Sequence, residues 1–119
     1  MRILGNVEKK FADIVWERAP ISSRELVEVC SQELNWKKST TYTVLKKFCE
    51  RGIFKNDDSI VDAVVSREDY LSNQSVEYVN GAFEGSLPDF VAAFASRKPL
   101  KKEEIERIRE IIDRFNEEG

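Results

Sequence analysis

The chain has 119 residues, 41% of them hydrophobic, a formal net charge of −3 and no histidine. That length suits one domain, or one domain with a small appendage, and the lack of histidine removes the commonest general base and the commonest transition-metal ligand. No apolar run reaches membrane-spanning length, no charged-then-apolar signal opens the chain, and the five glycines form no phosphate-cradling loop. The expectation is a soluble, cytoplasmic, non-enzymatic protein without metal or cofactor.

The first predicted helix runs from about Asn6 to Arg18, with Val7, Phe11, Ile14 and Val15 on its core face and Trp16 closing it. Ala19-Pro20 breaks the pattern. Ser22-Ser23-Arg24-Glu25 then reads as a capping box opening a second helix to about Glu33, whose inward positions are Leu26, Val29 and Cys30. Cys30 and Cys49 lack the close pairing of a metal knuckle, and both read as small buried hydrophobes.

The third predicted helix, from Trp36 to the closing Gly52, is the most informative. Thr41, Val44, Leu45 and Phe48 fall at i, i+3, i+4 and i+7, the stripe a helix buries against a core. Ser39, Tyr42, Thr43, Lys46 and Lys47 occupy the opposite face, and the only acid is Glu50 near the end. Hydroxyls and ammonium groups together suit a major groove lined with base edges and phosphates. A second helix, a brief turn and a third helix with an outward polar face make a helix-turn-helix arrangement.

Charge is distributed to match. Residues 1–52 carry ten Lys/Arg against seven Asp/Glu, or +3; residues 53–119 carry nine against fifteen, or −6. Screening limits the reach of the distant acids to about 8–10 Å, so a locally positive helix on an acidic body still attracts a phosphate backbone.

After Gly52, Ile53-Phe54-Lys55 and 60–65 are β-rich runs separated by the turn cluster Asn56-Asp57-Asp58-Ser59. Three helices and a hairpin predict a mainly α, α+β winged helix. Ser66-Arg67-Glu68-Asp69 begins a further helix, with Gly81 and Gly85 framing a break around Phe83. Leu87, Phe90, Val91 and Phe94 form the stripe of a short helix starting near Pro88. A final helix from about Leu100 to Glu118 carries Ile105, Ile108, Ile112 and Phe115. These stripes need a partner surface, and a second copy of the chain is the simplest one.

The residues Val15-Trp16-Glu17 and Ala19-Pro20, then Arg24-Glu25-Leu26-Val27, then Trp36 and Ser39 through Phe48, and Arg51-Gly52-Ile53-Phe54 resemble the penicillinase-repressor family of the BlaI/MecI type. Ser86-Leu87, Asp89-Phe90-Val91 and Glu103-Glu104-Ile105 extend the likeness into the tail. The resemblance implies a homodimeric winged-helix repressor that binds a palindromic operator. It also implies a possible sensor protease, because some members are inactivated by cleavage in the C-terminal segment; Asp89-Phe90 aligns with the bond cut in those relatives.

Under that resemblance, Thr40 and Thr43 correspond to recognition-helix threonines, and Tyr42 stands where an arginine or lysine is usual. Lys47 replaces an arginine; Lys37 and Lys38 replace a capping serine and a proline, weakening the helix start by about 1 kcal/mol. The wing tip carries Asp57 and Asp58 where basic residues are usual.

The expected organisation is a winged-helix DNA-binding domain over residues 1–66 and a helical dimerisation segment over 67–119. The DNA-contacting set is Lys37, Lys38, Ser39, Thr40, Tyr42, Thr43, Lys46, Lys47 and Arg51, with double-stranded operator DNA as partner. The rival reading is a winged-helix protein-interaction module whose acidic wing has turned it from DNA.

Overall fold

The computed structural model describes residues 5–118. Residues 1–4, on which the expectation of no targeting signal partly rests, lie outside them. The fold is a winged helix followed by C-terminal helices, in two compact units that divide between Glu77 and Tyr78. Among the described residues no helix is long and apolar enough to cross a membrane.

The first unit contains α1 (Asn6–Arg18), β1 (Ile21–Ser22), α2 (Ser23–Leu34), α3 (Lys38–Glu50), β2 (Phe54–Asp57), β3 (Ile60–Ala63) and the start of α4 (Arg67–Phe83). Local chemistry sets most of these limits. Ser22 caps α2, its Oγ accepting from the Glu25 N–H at 3.1 Å. Asn35, at φ 55°, ends it in the left-handed region. Gly52, at φ 76°, closes α3: its N–H donates to the Cys49 carbonyl, and the Ile53 N–H reaches back to Phe48 at 3.0 Å. This is the Schellman pattern, and it turns the chain straight into β2.

An aromatic cluster fills the core. The Phe48 and Phe54 rings stack at 5.1 Å, and Phe11 lies 5.6 Å from Phe48 and 5.6 Å from a stacked Trp36. Trp16 meets Phe54 edge-on at 5.4 Å while its Nε1–H donates to the Val65 carbonyl at 3.0 Å, satisfying its polar end. Leu26, Cys30, Thr41, Leu45 and Val61 are buried with it, as are Val15 and Ile21. Burial pushes the Cys30 thiol above its ordinary pKa, offset by a hydrogen bond with Thr41, so it behaves as a small hydrophobe.

Four expectations need correction. Val7 shares the core face of α1 by angle, yet it lies a full turn before Phe11 at the helix end and is 48% exposed; Ala12 is buried instead. The hairpin turn is two residues, Asp58-Ser59, not four. Both sit at positive φ (53° and 65°), as a type I′ turn requires, so Asn56 and Asp57 stay in the ladder opposite Val61 and Ile60. Val64 and Val65, expected in the second strand, leave the ladder, their N–H groups both donating to the Ile53 carbonyl. Finally, α4 runs through Gly81 to Phe83, and the break falls at Glu84-Gly85, where both residues have positive φ.

The sequence pattern also missed β1. Only two residues long, it pairs antiparallel with β3 through Ile21 and Val61, giving the order β1-β3-β2. The Ser23 N–H donates to the Ser59 carbonyl at 2.9 Å, tying the start of α2 to the wing tip.

The second unit comprises the end of α4, α5 (Leu87–Arg97) and α6 (Lys102–Glu118). Ser86 caps α5, accepting from the Asp89 N–H at 3.1 Å. Tyr78, Phe83, Phe90 and Phe94 pack as an aromatic group, with Phe90 lying 5.6 Å from Phe83 and 6.0 Å from Tyr78.

Candidate nucleic-acid interface

Helix α3 divides cleanly into two faces. Thr41, Leu45 and Phe48 are buried against the aromatic core, which holds the helix in one rotation about its axis. Ser39, Thr40, Tyr42, Thr43, Lys46 and Lys47 are all exposed. The structure therefore brings these six onto one continuous outward surface.

Within that surface several groups are already engaged. The Thr43 hydroxyl donates to the Ser39 carbonyl at 2.8 Å, so what Thr43 offers a base edge is an acceptor and a methyl group. Tyr42 is 36% exposed, and its hydroxyl donates to Ser23 Oγ across a long 3.3 Å contact. The Lys38 ammonium stands over the Tyr42 ring at 6.0 Å from its centre, the outer limit of a cation–π contact. Lys46 approaches Glu50 at 4.0 Å; both are well exposed, and such a pair holds little energy against water or a phosphate.

The helix start is a second positive feature. Lys37 occupies the cap position without a side-chain capping bond. The first N–H groups of α3 are thus free of side-chain acceptors and sit beside two ammonium groups, an arrangement that favours an anion. Arg51 lies at the other end, about 20 Å away along a helix of 13 residues, with its guanidinium 5.9 Å from the Phe48 ring centre. The cations therefore bracket the helix rather than forming one cluster.

The wing tip is negative. Asp57 and Asp58 are exposed, and Lys55 pairs with Asp57 at 3.9 Å, offsetting one of the two charges.

The start of α2, legible in the sequence as a capping signal, adds residues to this surface. Ser23, Arg24 and Glu28 on α2, Lys38 and Tyr42 on α3, and Ser59 at the wing tip line one groove. Arg24 is exposed there, adding a guanidinium that the sequence reading did not assign. The usable clue was that the start of α2 must lie near α3 in any helix-turn-helix.

A family model described as penicillinase repressor matches residues 4–114. The chain belongs to the penicillinase repressor family. Among individual proteins, the methicillin resistance regulatory protein MecI of Staphylococcus aureus is 23% identical over 115 residues, spanning 93% of this chain and 94% of that protein. MecI of Mammaliicoccus sciuri is 22% identical over 115 residues. The penicillinase repressor of Bacillus licheniformis is 20% identical over 114 residues, 92% of this chain and 89% of that protein.

In this penicillinase repressor family member the second unit carries many exposed apolar side chains. Leu87, Val91 and Phe94 on α5 and Ile108, Ile111, Ile112 and Phe115 on α6 are all exposed, whereas Phe90 and Ile105 are half-buried. Phe90 also belongs to the aromatic group formed with Tyr78, Phe83 and Phe94. The Asp89–Phe90 peptide bond lies inside α5, in its first turn.

Proposed function

We propose that this chain is a homodimeric transcriptional repressor that binds a palindromic operator in the cytoplasm and blocks transcription without any catalytic step. The observation that carries this reading is the two-faced α3, apolar side locked in the core and hydroxyl-and-lysine side free. Ser39, Thr40, Tyr42 and Thr43 face base edges and backbone in the major groove; Lys37, Lys38, Lys46, Lys47 and Arg51 hold phosphates. Residues 67–119 dimerise and set the half-site spacing at about 35 Å, one helical turn, or a multiple of it.

With about four of those five cations on phosphates in each subunit, the log–log salt slope for the dimer is about −7. Fluorescence anisotropy across a salt series with a palindrome selected from a random pool measures it. A flat salt response, or no binding at low salt, defeats the proposal.

The exposed Asp57-Asp58 pair favours one second reading, a winged helix that engages a protein. Replacing both aspartates by asparagine discriminates the two. If the wing lies near phosphate, DNA affinity rises several-fold and the gain shrinks with salt. If a protein is the ligand, DNA affinity stays negligible in both forms.

A further inference from the structure

We infer that Tyr42 is a specificity-determining residue that reads the 5-methyl group of a thymine. The inference rests on the operator-binding reading and names one base contact within it.

Tyr42 is the common wall of two grooves on the outward side of α3. One is the groove shared with Ser23, Arg24 and the wing tip. The other is a mainly apolar notch bordered by Tyr42, Leu45, Lys46, Cys49 and Asn56, between α3 and β2. Tyr42, Lys46 and Cys49 recur at i, i+4 and i+7, which places them along one side of the helix. Leu45 and Cys49 supply apolar walls, and burial pushes the Cys49 thiol above its ordinary pKa, keeping it neutral.

The chemistry at this position is narrow. The phenol hydrogen is directed to Ser23 Oγ, and Lys38 stands over the ring. What remains for a base is the acceptor side of the hydroxyl and the ring carbon surface next to an apolar notch, and only the ring carbon can meet an apolar group. In the major groove the one apolar group that a base pair presents is the thymine 5-methyl, and aromatic side chains are suited to it. Guanine reading needs a bidentate cation with two parallel donors, which a tyrosine lacks. Lys38 and Lys46 flank the ring, so a duplex backbone has charge partners on either side of the contact. Tyr42 is therefore suited to reading a methyl group rather than a purine acceptor pair.

The test uses the full chain. A consensus is first selected from a random duplex pool. Each thymine in both half-sites is then replaced in turn by deoxyuridine, which removes the methyl and nothing else. One symmetric thymine position is expected to cost about four-fold per half-site, or roughly fifteen-fold for the pair, the effect of one buried methyl. Tyr42→Phe should keep that sensitivity because the ring remains, and Tyr42→Ala should lose it while still binding with the same salt slope. Thermal unfolding of both variants separates a folding defect from a contact defect.

Three outcomes overturn the inference alone: a selected palindrome without thymine in its half-sites, no position sensitive to deoxyuridine, or sensitivity unchanged in Tyr42→Ala. A pool that shows no enrichment overturns the operator-binding reading and this contact with it.

Discussion

Phe54→Ala should lower the unfolding free energy by about 3–5 kcal/mol, the range for emptying a buried aromatic site. Phe54 is fully buried and contacts three rings: Phe48 at 5.1 Å, Trp16 at 5.4 Å and Phe11 at 6.4 Å. It lies on β2, the strand at one edge of the sheet, so the wing is anchored to the helices through this side chain. A domain of this size is stable by only about 5–15 kcal/mol, and the loss is a large share of it. Urea unfolding followed by circular dichroism gives the change directly. A cost below about 1 kcal/mol would mean that the core closes around the gap, and that the wing is held chiefly by its ladder to β3. DNA affinity should fall with the folded fraction, and the salt slope of the remaining folded protein should be unchanged.

Changing Ile112 and Phe115 together to glutamate should dissociate the proposed dimer with little effect on the fold of a single chain. Both are on α6 and are 59% and 66% exposed, so most of each side chain lies outside the packing of its own unit. Charges there would have to be desolvated at a subunit interface without partners, which no hydrophobic contact nearby offsets. Sedimentation equilibrium should show a dimer for the parent chain and a monomer for the variant. Operator affinity should drop by about 100-fold or more, because the second half-site is then no longer bound at the high effective concentration that tethering provides. Circular dichroism should remain the same. A variant that stays dimeric places the interface elsewhere, and a parent chain that is monomeric at every concentration ends the palindrome reading.

These two experiments probe different levels of the same design. The aromatic core keeps α3 in one orientation; the open C-terminal surface would decide how far apart two copies of α3 stand. Neither alone yields a repressor. A well-held recognition surface in a monomer would bind one half-site weakly, and a dimer with a loose α3 would bind without preference.

Much of the helical framework was legible in the order of residues. The limits of α1 at Asn6 and Arg18 follow from periodicity and the Pro20 break. The start of α2 follows from Ser22, and the end of α3 from Gly52, because caps act within a few residues of themselves. The two-faced character of α3 is likewise a local property, since residues three and four apart must share a side.

What only the tertiary structure decided depends on residues distant along the chain. Two-residue β1 has no period to detect and exists because Val61 lies opposite Ile21. Asn56 and Asp57 are poor strand formers that the β3 ladder carries, with the turn confined to Asp58-Ser59. Val7 matches the core face in angle but not in height along the axis. The contact of Tyr42 with Ser23 joins residues 19 apart, and it removes the phenol hydrogen from a surface where sequence alone would have left it free. Local pattern specifies which side of a helix is apolar; only packing specifies what stands opposite, and that is where the chemistry of this surface is set.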